Sequence, residues 1–131
     1  MRKVSGMKFA KYVFLLAGVF GVLALAPMYF MEAQVGRDFP PAVTHPEFFY
    51  GFVGIGLAWQ VAFLLMSRDP ARYRPLMLAA VLEKFSFSIG VFALYAQTRV
   101  PALLLPFAAT DFLLGVLFIA SYMKTKGLEA V

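Results

Sequence analysis

The chain has 131 residues, 62% of them hydrophobic and 15% charged, with a mean hydropathy of +0.79 and a net charge of +5. Soluble domains average about 45–50% apolar, so the composition points away from a soluble protein and toward a single integral membrane domain over residues 1–131. There is no cysteine, which removes disulfides, thiolate metal sites and cysteine nucleophiles.

A helix that crosses ~30 Å of hydrocarbon needs about 20 mostly apolar residues. The first such run, residues 12–31, is uncharged, and a helix over 10–31 is expected. Lys8 and Lys11 ahead of it and Ala24-Leu25-Ala26 within it have the look of a cleaved leader. The apolar run continues past Pro27 through Met28, Tyr29, Phe30 and Met31. The helix is therefore read as retained, with Pro27 kinking its outer end. Residues 32–47 hold Gly36, Pro40, Pro41 and Pro46 and read as an irregular outer loop. At its end Thr44 or His45 is placed to cap the next helix, with Glu47 in the first turn, where the helix dipole favours an acid.

A second helix is expected over 47–66, uncharged from Phe48 onward. Asp69 before Pro70 reads as a cap and first helical position of one interfacial turn. The third helix is placed over 75–97 although Glu83 and Lys84 interrupt it. Starting it after Lys84 would leave a rise of only ~20 Å, too short to span. Beginning at Pro75 restores the length and puts Glu83 below the interface. The fourth helix, 101–123, contains Asp111. So few residues separate it from the third that the two must be antiparallel neighbours.

Lys and Arg set the orientation. Arg2, Lys3, Lys8 and Lys11 precede the first helix, Arg68, Arg72 and Arg74 lie between the second and third, and Lys124 and Lys126 follow the fourth. The other two connections carry only Arg37 and Arg99. This bias predicts a four-helix bundle with both termini cytoplasmic. The positive charge then meets anionic lipid headgroups, and nucleic acid is not needed to account for it. Tyr29, Phe30, Phe48, Phe49 and Tyr50 at one interface and Tyr12, Tyr73 and Tyr122 at the other read as aromatic belts.

Close helix packing in lipid needs small residues. Stripes are expected at Ala10, Ala17, Gly21 and Ala24; at Gly51, Gly54 and Ala58, with Gly56 beside them; at Ala79, Ser86, Gly90 and Ala93; and at Ala108 and Gly115. The Gly51-Gly54-Gly56 cluster lacks the spacing and the preceding strand of a nucleotide loop.

An ionisable side chain at membrane depth costs ~2.5–3.5 kcal/mol on insertion scales, so such groups are expected to turn inward. On straight helices Gln60 lies ~9 Å, Glu83 ~10 Å and Asp111 ~14 Å above the inner surface. Gln60, Glu83 and Asp111 are thus expected to cluster. Lys84, ~100° around the helix from Glu83, is expected to pair with Asp111 or to reach toward the inner headgroups. Two readings stay open. A Lys84–Asp111 pair and a Glu83–Gln60 hydrogen bond would fix helix register; a polar pocket would bind a ligand or move a proton. His45 and Glu47 form a second candidate pair at the outer mouth, as helix-start residues or as a proton-accessible gate. Trp59 carries an indole N–H that wants a partner and is a candidate for ligand stacking. One histidine and scattered carboxylates make no metal ligand set, and no cofactor is expected.

The run HPEFFYGFVGIGLAWQ (45–60), followed by RDPARYRP (68–75) and Glu83-Lys84, resembles small uncharacterised bacterial four-helix integral membrane proteins over nearly the whole chain. Phe14-Leu15-Leu16-Ala17-Gly18 is loosely similar to DoxX-like membrane proteins, which share the four-helix layout and sometimes accompany redox systems. The resemblance implies a shape and a bacterial inner-membrane location, and assigns no activity. Three functions follow as expectations. The leading one is an accessory or scaffold component of a larger membrane complex, because no complete catalytic set is visible. The second is a small lipid- or quinone-like ligand-binding or isomerase-like protein with an intramembrane carboxylate pocket, an analogy at the level of fold. The third is a proton or small-solute carrier, which four helices could form only as an oligomer.

Overall fold

The computed structural model describes residues 2–128, and among these the chain is all-helical. α1 (Arg2–Leu25) begins well ahead of the apolar run, so Arg2, Lys3, Lys8 and Lys11 stand on its first turns and not on a separate tail. Lys and Arg are good helix formers, which permits the extension. Pro27 then acts where expected, but by changing the helix type. The α-helix stops at Leu25 and the chain continues as a tighter 3₁₀ turn over Ala26–Phe30, because proline cannot donate to the preceding turn.

The outer loop is only partly irregular. Its first half forms a short helix, α2 (Glu32–Asp38), with Glu32 in the first turn and Arg37 in the last, the arrangement that complements the helix dipole. The Gln34 amide donates to Asp38 at 2.8 Å, and Arg37 donates to the Gln34 carbonyl oxygen at 2.7 Å. These local pairs support a helix that Gly36 within it and Pro40 and Pro41 beyond it conceal. The rest of the loop, through a cis Pro40–Pro41 peptide, leads into α3 (Pro46–Arg68). Pro46 occupies the first turn of α3, where its missing N–H is harmless, and His45 holds the cap position without a side-chain bond.

The connection to α4 (Leu76–Ala96) is the single turn that Asp69-Pro70 predicts: Asp69 Oδ1 accepts from the Arg72 backbone N–H at 3.2 Å. A 3₁₀ turn at Ala102–Leu104 precedes α5 (Leu105–Lys124). Among the described residues four stretches are long and apolar enough to cross a membrane: Arg2–Phe30, Pro46–Arg68, Leu76–Ala96 and Ala102–Lys124.

α1 packs against α3 on one side and α5 on the other, and α4 packs against α5. Glycine makes the closest approaches possible. A Cβ at Gly6 would collide with the Lys124 carbonyl, and one at Gly21 would collide with the Gln60 side chain. One at Gly115 would come within 2.8 Å of the Phe85 ring. Ala10, Ala17, Gly21, Ala108 and Gly115 are buried as the small-residue stripes require. Ala24, Gly51, Ala58, Ser86 and Ala93 instead face outward, and Ala79 and Gly90 are half-buried. Smallness alone did not identify the face: on α4 the buried line runs Met77, Ala80, Lys84, Ser88, Val91.

The centre of the bundle is aromatic. Phe14 stacks on Phe118 at 4.4 Å, and Phe63 meets Phe118 edge-on at 4.9 Å, geometries that ring quadrupoles favour. Around this core the usual distribution is inverted. Gln60, Lys84, Ser88, Ser121 and Thr125 are buried, while Leu16, Leu23, Phe48, Ile55, Leu82 and Met123 are exposed. The buried Ser and Thr hydroxyls donate back to carbonyls of their own helices, as Ser121 does to Leu117 at 2.9 Å, so none is left unsatisfied. At the end of the bundle that holds both termini, Arg74 lies 3.7 Å over the Tyr122 ring and donates to the Tyr122 carbonyl at 3.0 Å. This ties the α3–α4 connection to α5.

Candidate functional site

α3 and α4, although consecutive, do not close on one another along their length. Between them lies a cleft of ≈ 550 Å³. Ile55, Gly56 and Trp59 of α3 form one wall, and Ala79, Glu83 and Ser86 of α4 form the other. Phe52 and Phe87, with rings 6.3 Å apart, bridge it toward the end away from the termini. The walls are mostly apolar, and Glu83 is the only charged lining residue. The Ser86 hydroxyl turns back to the Glu83 carbonyl at 2.9 Å.

Helix periodicity explains why neighbouring residues face different ways. Lys84 lies on the buried line of α4 and is 5% exposed. Glu83, one residue earlier and ~100° around the helix, falls at the cleft edge. Lys84 Nζ reaches 3.3 Å from Asp111 Oδ1 on α5 and 3.5 Å from Glu83 Oε2, and sits 5.3 Å from the Phe63 ring centroid. One ammonium therefore serves two carboxylates. It has a hydrogen bond with Asp111. Glu83 Oε2 is buried and accepts no hydrogen bond among the described residues; its contact with Lys84 is ionic only.

Gln60 does not join this group. It is 2% exposed and lies against Gly21 of α1, with its amide donating to the Gly56 carbonyl at 3.0 Å. The expected Glu83–Gln60 hydrogen bond is absent. Helix height does not set rotation: Trp59 points to the cleft, and Gln60, ~100° further on, points to α1. Gln60 Oε1 is also buried without a partner among the described residues, which leaves the α1–α3 contact with one unmet acceptor.

Trp59 lines the cleft and packs on the core, its ring 6.1 Å from Phe63. His45 Nδ1 and Glu47 Oε1 are 3.2 Å apart, but both side chains are 65% exposed and neither lines the cleft. The His45 ring stacks on Phe48 at 5.1 Å, so the pair belongs to the start of α3. Among the described residues no three His, Asp or Glu side chains gather as metal ligands do.

A second concavity was not legible in the sequence. At the end away from the termini, the Ala26–Phe30 turn, α2 and the start of α3 enclose ≈ 340 Å³ lined by Tyr29, Glu32 and Tyr50 among others. The Tyr50 hydroxyl donates to Glu32 Oε2 at 2.9 Å, and the Tyr29 and Tyr50 rings lie 6.1 Å apart and 16° from parallel. The sequence marks Tyr29 and Tyr50 as interfacial belt residues only. The available signal is Tyr29 and Glu32 three residues apart, which an irregular loop over 32–47 hides.

Comparison with known proteins gives no match: no family model, no curated protein and no solved structure aligns with the chain.

Proposed function

We propose that the chain is an integral membrane protein whose α3–α4 cleft binds a lipid-soluble small molecule through a hydrogen-bond-donating head group. In this reading the four apolar helices span the bacterial inner membrane, with both termini and the α3–α4 connection on the cytoplasmic side, where the basic residues concentrate.

The observation that carries the proposal is the surplus carboxylate. An ion pair that only fixed helix register would need one acid beside Lys84, and Asp111 supplies it at 3.3 Å. Glu83 adds a second acid at a depth where charge is costly, and places it in the wall of an apolar cleft. Its side chain stays 21% exposed in that wall, while Oε2 is buried toward Lys84. A hydroxyl or amine on an otherwise apolar molecule would meet the part of the Glu83 carboxyl group that faces the cleft.

The occupant is a small molecule and not a helix. A volume of ≈ 550 Å³ lies within the range of ligand pockets, about 300–1,000 Å³. A helix, with a diameter of about 10–12 Å including side chains, does not fit beneath a bridge whose rings are 6.3 Å apart. The scaffold role ranks second, because it treats every charge as helix glue and gives the cleft and the Glu83 oxygen no use.

Trp59 is the sole tryptophan of the chain and lines the cleft, so its fluorescence is a built-in reporter. Titrating purified protein with a long-chain quinol, alcohol or amine should give a saturable change in Trp59 emission. Charge-assisted hydrogen bonds contribute about 1.5–3 kcal/mol. Glu83→Leu should therefore weaken binding by about 10- to 100-fold, and Ser86→Phe should block the cleft outright. His45→Ala should bind like the wild type. Identical titrations for wild type and Glu83→Leu would remove Glu83 from any binding role.

A further inference from the structure

We infer that the pocket built by Tyr29, Glu32 and Tyr50 is a site for an organic ammonium group. Its one charged lining residue is Glu32, and no Lys, Arg or His contributes to the wall. Glu32 makes no ion pair among the described residues. The nearby cation on the same helix, Arg37, is turned ~140° away at five residues' distance and donates to Gln34. The carboxylate is nevertheless held in place by the Tyr50 hydroxyl at 2.9 Å. Two nearly parallel tyrosine rings and Phe30 line the same concavity.

A fixed carboxylate beside aromatic faces is the chemistry that recognises alkylated or primary ammonium. The carboxylate supplies the countercharge, and the ring quadrupoles attract the cation's hydrocarbon-clad surface. A metal ion would find only one carboxylate here, too few oxygen ligands to hold it. The walls are backed by close packing. A Cβ at Gly36 would lie 3.1 Å from the Ala42 backbone, and one at Gly54 would lie 3.2 Å from the Tyr29 hydroxyl. Gly36 lets the loop fold against α2, and Gly54 leaves room for the Tyr29 hydroxyl beside α3.

The pocket lies at the end of the spanning helices, next to Phe30, which is 93% exposed. In the membrane reading this is headgroup level. The same ammonium chemistry is offered there by zwitterionic lipids and by free amines. The inference stands apart from the α3–α4 cleft and does not need Glu83.

The test uses the full-length protein. Its thermal stability in detergent is measured with tetramethylammonium chloride against sodium chloride at equal ionic strength. Lipid retention is measured by native mass spectrometry from vesicles of phosphatidylethanolamine mixed equally with phosphatidylglycerol. A melting-temperature rise of several degrees specific to tetramethylammonium, lost in Glu32→Gln and reduced in Tyr29→Leu, supports the site. If phosphatidylethanolamine is also retained over phosphatidylglycerol several-fold, and this preference falls to parity in the two variants, the lipid headgroup is the source. If only tetramethylammonium acts, a free amine is the source. Tyr29→Leu removes a ring face without touching the charge, so the test survives a Glu32→Gln chain that fails to fold. Equal responses to the two salts together with no lipid preference in the wild type overturn the inference. So do variants that fold and respond as the wild type does.

Discussion

Lys84 faces inward on α4 and holds two carboxylates within 3.5 Å, one on its own helix and one on α5. Removing one partner from a buried ion pair costs about 3–5 kcal/mol, because the remaining charge is stranded. Lys84→Met strands both Glu83 and Asp111 and is expected to lower the unfolding temperature more than Asp111→Asn, which leaves Lys84 its contact with Glu83. A double variant, Lys84→Met with Asp111→Leu, should recover part of the loss. Thermal unfolding of the wild type and the three variants in one detergent checks the order; equal stability of wild type and Lys84→Met would contradict the burial of Lys84. The sequence carried much of this arrangement. Helix length places Glu83 inside the third long apolar stretch, and helix rise brings Lys84 level with Asp111. It did not carry the rotation of Gln60, since one residue of phase on α3 separates a cleft-facing side chain from one held against Gly21. Periodicity resolves that phase only when the apolar and polar faces differ, and on an all-apolar helix they do not.

Among the elements, the spanning helices were readable because length and apolarity are properties of long segments. α2 was not, because its support is local: Glu32 and Arg37 at its ends and Gln34 between Arg37 and Asp38. The small-residue stripes were half readable. Gly6 is buried against the Lys124 backbone, whereas a Cβ at Gly90 would meet nothing within 4 Å. The same substitution should therefore have opposite signs at the two positions. Gly6→Ala forces α1 away from the end of α5 and is expected to destabilise. Gly90→Ala gains helix propensity of about 1 kcal/mol with no clash and is expected to be neutral or stabilising. Melting curves decide this, and a destabilised Gly90→Ala would show that α4 is closely packed there by something else.

At the scale of the whole molecule, large apolar side chains face outward on all four long helices, while Lys84 is buried and the Glu83 and Asp111 side chains are only 21% and 20% exposed, the distribution that a hydrocarbon surrounding, which cannot solvate charge, would favour. Three of the four sides of the bundle are closed by helix packing, and the fourth is the α3–α4 cleft. On the proposed function, a ligand would enter sideways, from the lipid. Trp59 in the cleft wall gives the most direct measurement. The protein is reconstituted in lipids brominated midway along the acyl chain, with and without saturating quinol. The account predicts strong quenching of Trp59 by the brominated chains, relief of that quenching by the ligand, and little quenching by aqueous iodide. Efficient quenching by iodide with none from brominated lipid would contradict it.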